Sequence, residues 1–289
     1  MDVTARIENA LINAVGSADQ SGCPPRLAAA MRAAVFPKGA RVRPRLCHAV
    51  ASACGEDQPG ATDAAGAAIE LLHCASLVHD DLPCFDDADM RRGRPSVHAA
   101  FGEPLAVLAG DALIVLAFQT LARASCPPLR MANLINAVGN SVGVPRGIVA
   151  GQAWECEPEV NLSHYHRSKT GALFAAATVC GAAAAGFENP DAWRDLGEKI
   201  GEAYQIADDI RDAASDEEEA GKPVGKDAAL GRPSAVLRFG LTGAIGYLHD
   251  VVADAIGTMP PCAHAHELRK LMEQEAKRLV PARLAQYAA

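Results

Sequence analysis

The sequence predicts an all-α fold: a single-domain helical bundle around a central cavity. Hydrophobic residues make up 49% of the 289-residue chain, enough for a large core, whereas aromatic residues make up 4%. Alanine and leucine, which lose least on entering a helix, outnumber the β-branched residues. No linker or internal repeat divides the chain, so one domain (1–289) is the simplest account. One domain of this length would exceed the usual domain size. It is tolerable if long helices enclose a common cavity rather than a solid core.

Helical periodicity predicts helices in order along the whole chain. The first has apolar residues at helical spacing and Thr62 as a candidate cap. The second opens with Glu103 and Pro104, which suit a first helical turn. The predicted segments are 61–78, 103–124, 168–186, 191–214, 241–256 and 264–286.

The composition excludes several classes of protein. A net charge of -8 and a pI near 5.6 argue against a nucleic-acid-binding protein, which needs a basic face. The nine cysteines contain no C-x-x-C pair, so we expect reduced thiols rather than disulfides or a zinc site. The first residues lack the pattern of a secretory signal, so we expect a cytoplasmic protein. The uncharged segment 170–187 is too rich in alanine and glycine for a membrane span and predicts a buried core helix.

Two acidic clusters lie far apart in the sequence. The first contains Asp80, Asp81, Asp86, Asp87 and Asp89, and the second contains Asp208, Asp209 and Asp212. On a helix, carboxylates four residues apart share one face. Two unit charges about 5 Å apart repel by roughly 3 kcal/mol at an effective dielectric near 20, so a cation would stabilise each cluster. Mg²⁺ suits this role, because one or two carboxylates and substrate phosphates typically hold it.

The alternative interpretation is that each cluster is a solvated acidic helix end, as we interpret the run 216–219. Against this, the second cluster follows the apolar stretch 204–207 of the same helix, which should carry it toward the interior. Unpaired carboxylates would be unfavourable there. We therefore predict that the two clusters face each other across the cavity.

Basic residues accompany both clusters. Arg91 and Arg92 follow the first cluster, Lys169 precedes "TGALF", and Lys222 follows the second cluster. Arginine binds phosphate through two parallel hydrogen bonds and lysine adds a point charge, so these residues indicate a phosphate site. The segment "GKPVGKD" (221–227) is not a P-loop, because its glycines are one residue too close and Asp227 replaces the metal-binding Ser or Thr.

These motifs resemble those of the trans-isoprenyl diphosphate synthases. "HDDLPCFDDADMRRG" (79–93) resembles the family's first Asp-rich motif in its longer form, and "QIADDIRD" (205–212) resembles the second. The segments "GARVRP" (39–44), "KTGALF" (169–174) and "GKPVGKD" also match in order. The resemblance implies the all-α isoprenoid synthase fold, a homodimer, and Mg²⁺-dependent condensation of isopentenyl diphosphate with an allylic diphosphate.

The resemblance also implies roles for individual residues. The metal ligands would be Asp80, Asp86 and Asp208, with Asp81 and Asp212 as further candidates and Asp87 and Asp209 in support. Three Mg²⁺ ions are expected per site. The allylic diphosphate would be held by Arg91, Lys169, Thr170, Gln205 and Lys222, and isopentenyl diphosphate by Arg43, His73 and Arg92. The candidate catalytic residues are Asp80, Asp86, Arg91, Lys169, Asp208 and Lys222.

Two positions depart from the family pattern. Ala40 stands where a lysine usually contacts isopentenyl diphosphate, and Lys38 or Arg41 is expected to compensate. Arg232, a further substrate-binding candidate, stands where lysine is common. Without the resemblance, His73 would be interpreted as a core histidine.

The resemblance implies a product length as well. Family members that stop at farnesyl diphosphate carry an aromatic residue five positions before the first motif, where this chain has Ala75, followed by Ser76. Small side chains leave the channel open, and Leu72 lies deeper on the same helix. We expect geranylgeranyl diphosphate, made from farnesyl diphosphate and used in carotenoid synthesis. The alternatives are a farnesyl or longer-chain synthase, a terpene cyclase, and a non-catalytic regulatory subunit.

Overall fold

The computed structural model describes residues 2–36, 39–159, 164–165, 167–214 and 234–279. The predicted all-α fold is confirmed: within these residues the only sheet is one hairpin, β1 (Met90–Arg91) with β2 (Arg94–Pro95). The α-helices are α1 (Val3–Ala18), α2 (Pro25–Val35), α3 (Val42–Ala53), α4 (Pro59–Asp80), α5 (Val97–Phe101), α6 (Glu103–Ala122), α7 (Pro128–Val142), α8 (Ile148–Ala153), α9 (Ala172–Ala184), α10 (Arg194–Ala214), α11 (Ala235–Gly257) and α12 (Ala265–Leu279).

Helix α4 is the centre of the largest hydrophobic core. It packs mainly against α6, and also against α1, α3 and α9. Sixteen of its 22 residues are buried, and many of these are alanine. Small side chains let neighbouring helices approach closely on several sides. The packing therefore holds the last turn of α4, where the first acidic motif begins.

The uncharged segment forms a buried core helix, as predicted. All 13 residues of α9 are buried. At Gly181 an added Cβ would lie 2.4 Å from the carbonyl oxygen of Cys47, so only glycine lets α9 approach α3 this closely. By length and composition alone, α6 is the helix within the described ranges that could cross a membrane, and 39% of its apolar window is buried in the fold.

The C-terminal helices form two smaller cores. Ile206 and Ile210 of α10 pack against Ile245 and Leu248 of α11. Leu268 of α12 belongs to another cluster at the end of α3. The first of these clusters places the buried face of α10 against α11.

Several predicted helix ends differ from those observed. Helix α4 begins at Pro59, so Thr62 is buried inside it and the prediction that Thr62 is a cap is wrong. The segment predicted at 168–186 begins as a π-helical turn, Arg167–Gly171, before α9. A 3₁₀ turn, Pro190–Trp193, precedes α10. Residues 280–286 of the last predicted helix lie outside the described residues.

Candidate active site

The first acidic motif begins in the last turn of α4. Asp80 and Asp81 are buried there, with exposed fractions of 7% and 3%. The following loop turns back over the helix end: the backbone N–H of Asp86 donates to the Asp80 carbonyl at 2.9 Å, and that of Ala88 to the Asp81 carbonyl at 3.1 Å. The loop thus accommodates its two extra residues and returns Asp86 to Asp80.

Two side chains from other elements hold Asp80. Gln152 of α8 donates from Nε2 to Asp80 Oδ1 at 3.0 Å and to the Ser76 carbonyl at 3.1 Å. Lys169 Nζ lies 3.9 Å from the same Asp80 oxygen. Burial raises the pKa of Asp80, and the Lys169 charge and the Gln152 hydrogen bond oppose only part of that rise. A carboxylate in this state is stabilised by any further cation brought to it.

The hairpin after the motif returns Arg91 to Asp81. Its turn residues Arg92 and Gly93 both have positive φ, 53° and 72°. Arg91 Nε donates to Asp81 Oδ1 at 3.0 Å, and Arg91 Nη2 contacts the same oxygen more closely. Burial would lower the pKa of Arg91, but the hydrogen bond and charge of Asp81 outweigh it and raise that pKa. The acidic run and the arginine that follows it in the sequence thus form an ion pair between the end of α4 and the hairpin.

Lys169 lies in the π-helical turn and is held by Glu155. Its Nζ is 2.5 Å from Glu155 Oε1, which also accepts from the Tyr165 hydroxyl at 2.6 Å. Helix α8 lies directly against this turn, because an added Cβ at Gly151 would be 2.4 Å from Lys169 N. Sequence reasoning missed Gln152 and Glu155, for which the only signal is the "GQ" pair followed by an acid.

The π-helical turn also connects with the second acidic motif. Thr170 Oγ1 donates to Gln205 Oε1 at 3.0 Å, and Gln205 Nε2 donates to Asp209 Oδ1 at 3.1 Å. Asp209 Oδ2 accepts from the backbone N–H of Ala235, the first residue of α11, at 2.7 Å. A continuous path of contacts therefore runs from Asp80 through Lys169 and Thr170 to the second motif.

The second motif is more exposed than we expected from the apolar stretch before it, and its position across a cavity from the first motif stays a prediction. The Asp208 side chain is 56% exposed and accepts from Arg211 Nη2 at 2.6 Å. Because Ile206, Ala207 and Ile210 take the buried face of α10, the helical period turns Asp208 to the opposite face. Asp212 is half-buried on α10. The apolar stretch anchors the helix and leaves Asp208 accessible to solvent.

The residues predicted to hold isopentenyl diphosphate lie close together. The Arg43 guanidinium lies 4.5 Å over the Phe174 ring, and burial lowers its pKa while the charges of Glu70 and Asp208 oppose this. Burial, followed by the charges of Arg43, Arg92, Arg91 and Arg41, lowers the pKa of His73 well below 6.5. An added Cβ at Gly39 would lie 2.8 Å from Arg92 Nη1, so glycine leaves room for this guanidinium.

Arg41, one of the two residues expected to compensate for Ala40, is directed into the protein and not toward the substrate. Its side chain is 4% exposed and is bound to Glu8, Glu70 and the Val35 carbonyl. These three bonds and its burial direct the guanidinium away from the proposed substrate site. The other predicted site residues Lys38, Lys222 and Arg232 lie outside the described residues.

The residues predicted to set chain length are all buried. Leu72, Ala75 and Ser76 have exposed fractions of 2%, 1% and 5%. A cavity of about 220 Å³ lies beside the same helix and is lined by Cys74, Leu77, Val78, Asp81 and Arg91 among others. A larger cavity of about 410 Å³ lies between α3, α10 and α12, away from the acidic motifs. The placement of a substrate tail therefore stays a prediction.

Within the described part of the chain, the carboxylates do not form a closed metal cage. Among the residues that the structure describes, no three His, Cys, Asp or Glu side chains are grouped closely enough to hold an ion by themselves. Asp80 and Asp86 of the first motif and Asp208 of the second motif instead offer separate oxygen donors. This donor set fits Mg²⁺, which binds one or two carboxylates and keeps positions for water and phosphate.

Comparisons with known proteins match nearly the whole chain. The profile of the polyprenyl synthetase family matches residues 24–273. The chain is 52% identical to the geranylgeranyl diphosphate synthase of Cereibacter sphaeroides over 281 residues, which is 97% of each protein. It is 50% identical, over the same share of each, to the enzyme of that name from Rhodobacter capsulatus.

Solved structures match the fold as well. A geranyltransferase from Helicobacter pylori, complexed with magnesium and isoprenyl diphosphate, aligns with a TM-score of 0.79 and 29% identity over 96% of this chain and 98% of its own. A FPP/GFPP synthase from Zymomonas mobilis aligns with a TM-score of 0.74 and 30% identity over 95% and 98%.

Proposed function

The chain belongs to the polyprenyl synthetase family, and from that premise we propose that it condenses isopentenyl diphosphate with farnesyl diphosphate to give geranylgeranyl diphosphate and pyrophosphate. One observation carries the proposal: the path of contacts from Asp80 through Lys169, Thr170 and Gln205 to Asp209 links the two acidic motifs. Both motifs and their cations can therefore act on one diphosphate.

Asp80, Asp86 and Asp208 would hold Mg²⁺, with Asp81 and Asp212 in support, and we propose three ions per site. The bound ions would neutralise the charge of the leaving pyrophosphate. Asp81 keeps Arg91 oriented through their ion pair. Gln152 keeps the Asp80 carboxylate oriented by a hydrogen bond to its Oδ1.

The basic residues take part of the diphosphate charge. Arg91 and Lys169, with Thr170 and Gln205, would bind the allylic diphosphate, and Lys222 and Arg232 are proposed to join them. Lys169 exchanges its contact with Glu155 for the diphosphate. The allylic C–O bond breaks, and its electron pair leaves with pyrophosphate. Preorganised donors aimed at the developing charge lower the barrier.

Arg43, His73 and Arg92 would hold isopentenyl diphosphate so that its alkene reaches the allylic cation. A new C–C bond forms, and the resulting cation loses a proton to the departed pyrophosphate. No side chain acts as a nucleophile. Because burial and the neighbouring arginines keep His73 neutral, it serves as a hydrogen-bonding group.

We propose geranylgeranyl diphosphate as the main product because two relatives of about half identity carry that name. The FPP/GFPP synthase among the structural relatives keeps a farnesyl or longer product as the second candidate. A terpene cyclase or a regulatory subunit is less well supported, since both acidic motifs are present. We further propose a single domain, a cytoplasmic location and a use in carotenoid synthesis.

A homodimer is proposed from the surface of α6. Val107, Leu108 and Val115 on this helix are exposed by 41%, 52% and 56%. A second copy of the chain would cover this apolar surface, as in symmetric homodimers generally.

The deciding experiment is incubation of the purified protein with Mg²⁺, isopentenyl diphosphate and each allylic diphosphate in turn. We expect a twenty-carbon product from the farnesyl primer and no product when a chelator removes Mg²⁺. Failure to extend any primer with Mg²⁺ present would contradict the proposed function. A fifteen-carbon end product would favour the second candidate.

A further inference from the structure

Arg41 occupies an unusual backbone position directly before α3. Its φ and ψ are 50° and 38°, in the left-handed region that a residue with a Cβ atom rarely adopts. Such a conformation persists only where the surrounding structure holds it in place. The side chain of Arg41 provides that support.

Three parts of the chain bind the Arg41 guanidinium. Nε donates to Glu8 Oε1 of α1 at 3.0 Å, Nη1 to Glu70 Oε1 of α4 at 2.9 Å, and Nη2 to the Val35 carbonyl of α2 at 2.9 Å. The Arg41 and Glu70 side chains are 4% and 2% exposed. Because the guanidinium is planar and rigid, three such bonds fix both its position and its orientation. We call Arg41, Glu8 and Glu70 the Arg41 clamp.

The clamp is close to two residues proposed to bind isopentenyl diphosphate, because the charge of Glu70 acts on Arg43 and that of Arg41 acts on His73. Arg43 follows Arg41 by two residues, and its buried Nε has no hydrogen-bond partner within the described part of the chain. Glu70 precedes His73 by three residues on α4, so the two share a helix face. The Glu70 charge also supports the charged form of Arg43 against the cost of its burial. The clamp therefore joins the two segments that carry Arg43 and His73.

We propose that the Arg41 clamp is the positioning device of the isopentenyl diphosphate site. It acts by fixing Arg43 and His73 before the substrate arrives, so that less ordering is needed on binding. Arg41 does not touch the substrate. This inference rests on the proposed function, which assigns Arg43 and His73 to that substrate.

A similar network elsewhere in the chain provides a matched control. Arg6 of α1 binds Glu56 at 2.8 Å, Asp63 at 2.8 Å and the Pro59 carbonyl at 3.1 Å. Its side chain is 17% exposed. This network joins α1 to the start of α4, far along the helix from His73. It shares the chemistry of the clamp but not its location.

The test compares Arg41→Met/Glu70→Met with Arg6→Met. Replacing both Arg41 and Glu70 by apolar residues leaves neither of these two buried charges without the other. We expect the KM for isopentenyl diphosphate to rise on the order of tenfold to hundredfold in the double variant, since misplacement by about 1 Å has effects of that size. The KM for the allylic substrate and kcat should stay within about threefold. Arg41→Lys, which keeps the charge, should restore part of the affinity.

The control should leave both KM values unchanged while lowering the melting temperature. An unchanged KM for isopentenyl diphosphate in the double variant would overturn the proposal, as would an equal rise in Arg6→Met. Calorimetric titration with isopentenyl diphosphate gives the same comparison without turnover. If the unaltered protein binds this substrate but makes no product, the proposed function fails while the titration still decides the role of the clamp.

Discussion

Asp80 is a carboxylate of the candidate site that the fold buries. Burial raises its pKa above the ordinary value of 3.8. The folded protein then binds a proton at Asp80 more readily than the unfolded chain does. The contribution of Asp80 to the free energy of unfolding is therefore largest below pH 3.8. It is lost as the pH rises through the raised pKa of Asp80 in the folded protein. At neutral pH the charged carboxylate destabilises the fold, and a bound cation would remove that cost.

Asp80→Asn should accordingly reduce activity and increase stability. The amide cannot hold Mg²⁺ as a carboxylate does, so we expect kcat to fall on the order of 100-fold to 1,000-fold. Without the buried charge, the melting temperature at pH 7 should rise by a few degrees, which corresponds to about 1 kcal/mol in a chain of this size. Calorimetry between pH 3.5 and pH 7 and steady-state kinetics measure the two effects.

Asp89→Asn in the same loop is the control, because Asp89 is exposed. It should alter neither the melting temperature nor its pH dependence. If Asp80→Asn were less stable than the unaltered protein at pH 7, the raised pKa would not reflect an unfavourable buried charge.

At the scale of elements, close helix packing decides where the motifs lie. Helix α9 is buried on all sides, and its contact with α3 depends on Gly181. Helix α8 depends in the same way on Gly151 for its contact with the turn that carries Lys169. The sequence indicates helices at α4, α6 and α9, but Gly181 and Gly151, which allow the close contacts of α9 and α8, resemble any other glycine in the sequence.

Gly181→Ala should destabilise the fold. The added methyl group would meet the Cys47 carbonyl at 2.4 Å, so α9 must move away from α3. Such overpacking typically costs about 1–3 kcal/mol, or several degrees in melting temperature. Gly139→Ala on α7 is the matched control: nothing lies within 4 Å of the added group, so alanine should be neutral or stabilising. Equal melting temperatures for the two variants would contradict this account.

Ala75→Tyr tests the product length proposed for the face of α4. Ala75 is 1% exposed, so a tyrosine there must displace a neighbour or fill the path of the growing chain. We expect the main product to shorten from twenty to fifteen carbons, measured by chromatography of the dephosphorylated products. Circular dichroism checks the fold. A folded variant with an unchanged product distribution would show that the tail lies elsewhere.

At the scale of the whole molecule, the candidate site depends on segments that are distant in sequence. The first motif ends α4, the cations come from a hairpin and a π-helical turn, and the second motif lies on α10. The exposed apolar residues of α6 carry the proposed contact with a second copy of the chain.

Leu108→Glu/Val115→Glu should convert the proposed dimer to a monomer. Two charges on this surface would have to be buried without partners at the interface. Light scattering coupled to size-exclusion chromatography measures the mass. Ile12→Glu on α1, where the side chain is 51% exposed, is the control and should leave the mass unchanged. A monomeric unaltered protein would refute the dimer directly.

The sequence by itself determined the helical class, the two acidic motifs and their accompanying cations, because periodicity, composition and the identity of charged groups are local properties. Only the tertiary structure decided which charges meet. It pairs Arg91 with Asp81, places Glu155 on Lys169, and turns Asp208 to solvent because the apolar residues of α10 are buried against α11. It also commits Arg41 to a buried clamp. These outcomes depend on packing between distant helices, and the strength of a charge interaction depends on distance and burial, which residue spacing does not specify.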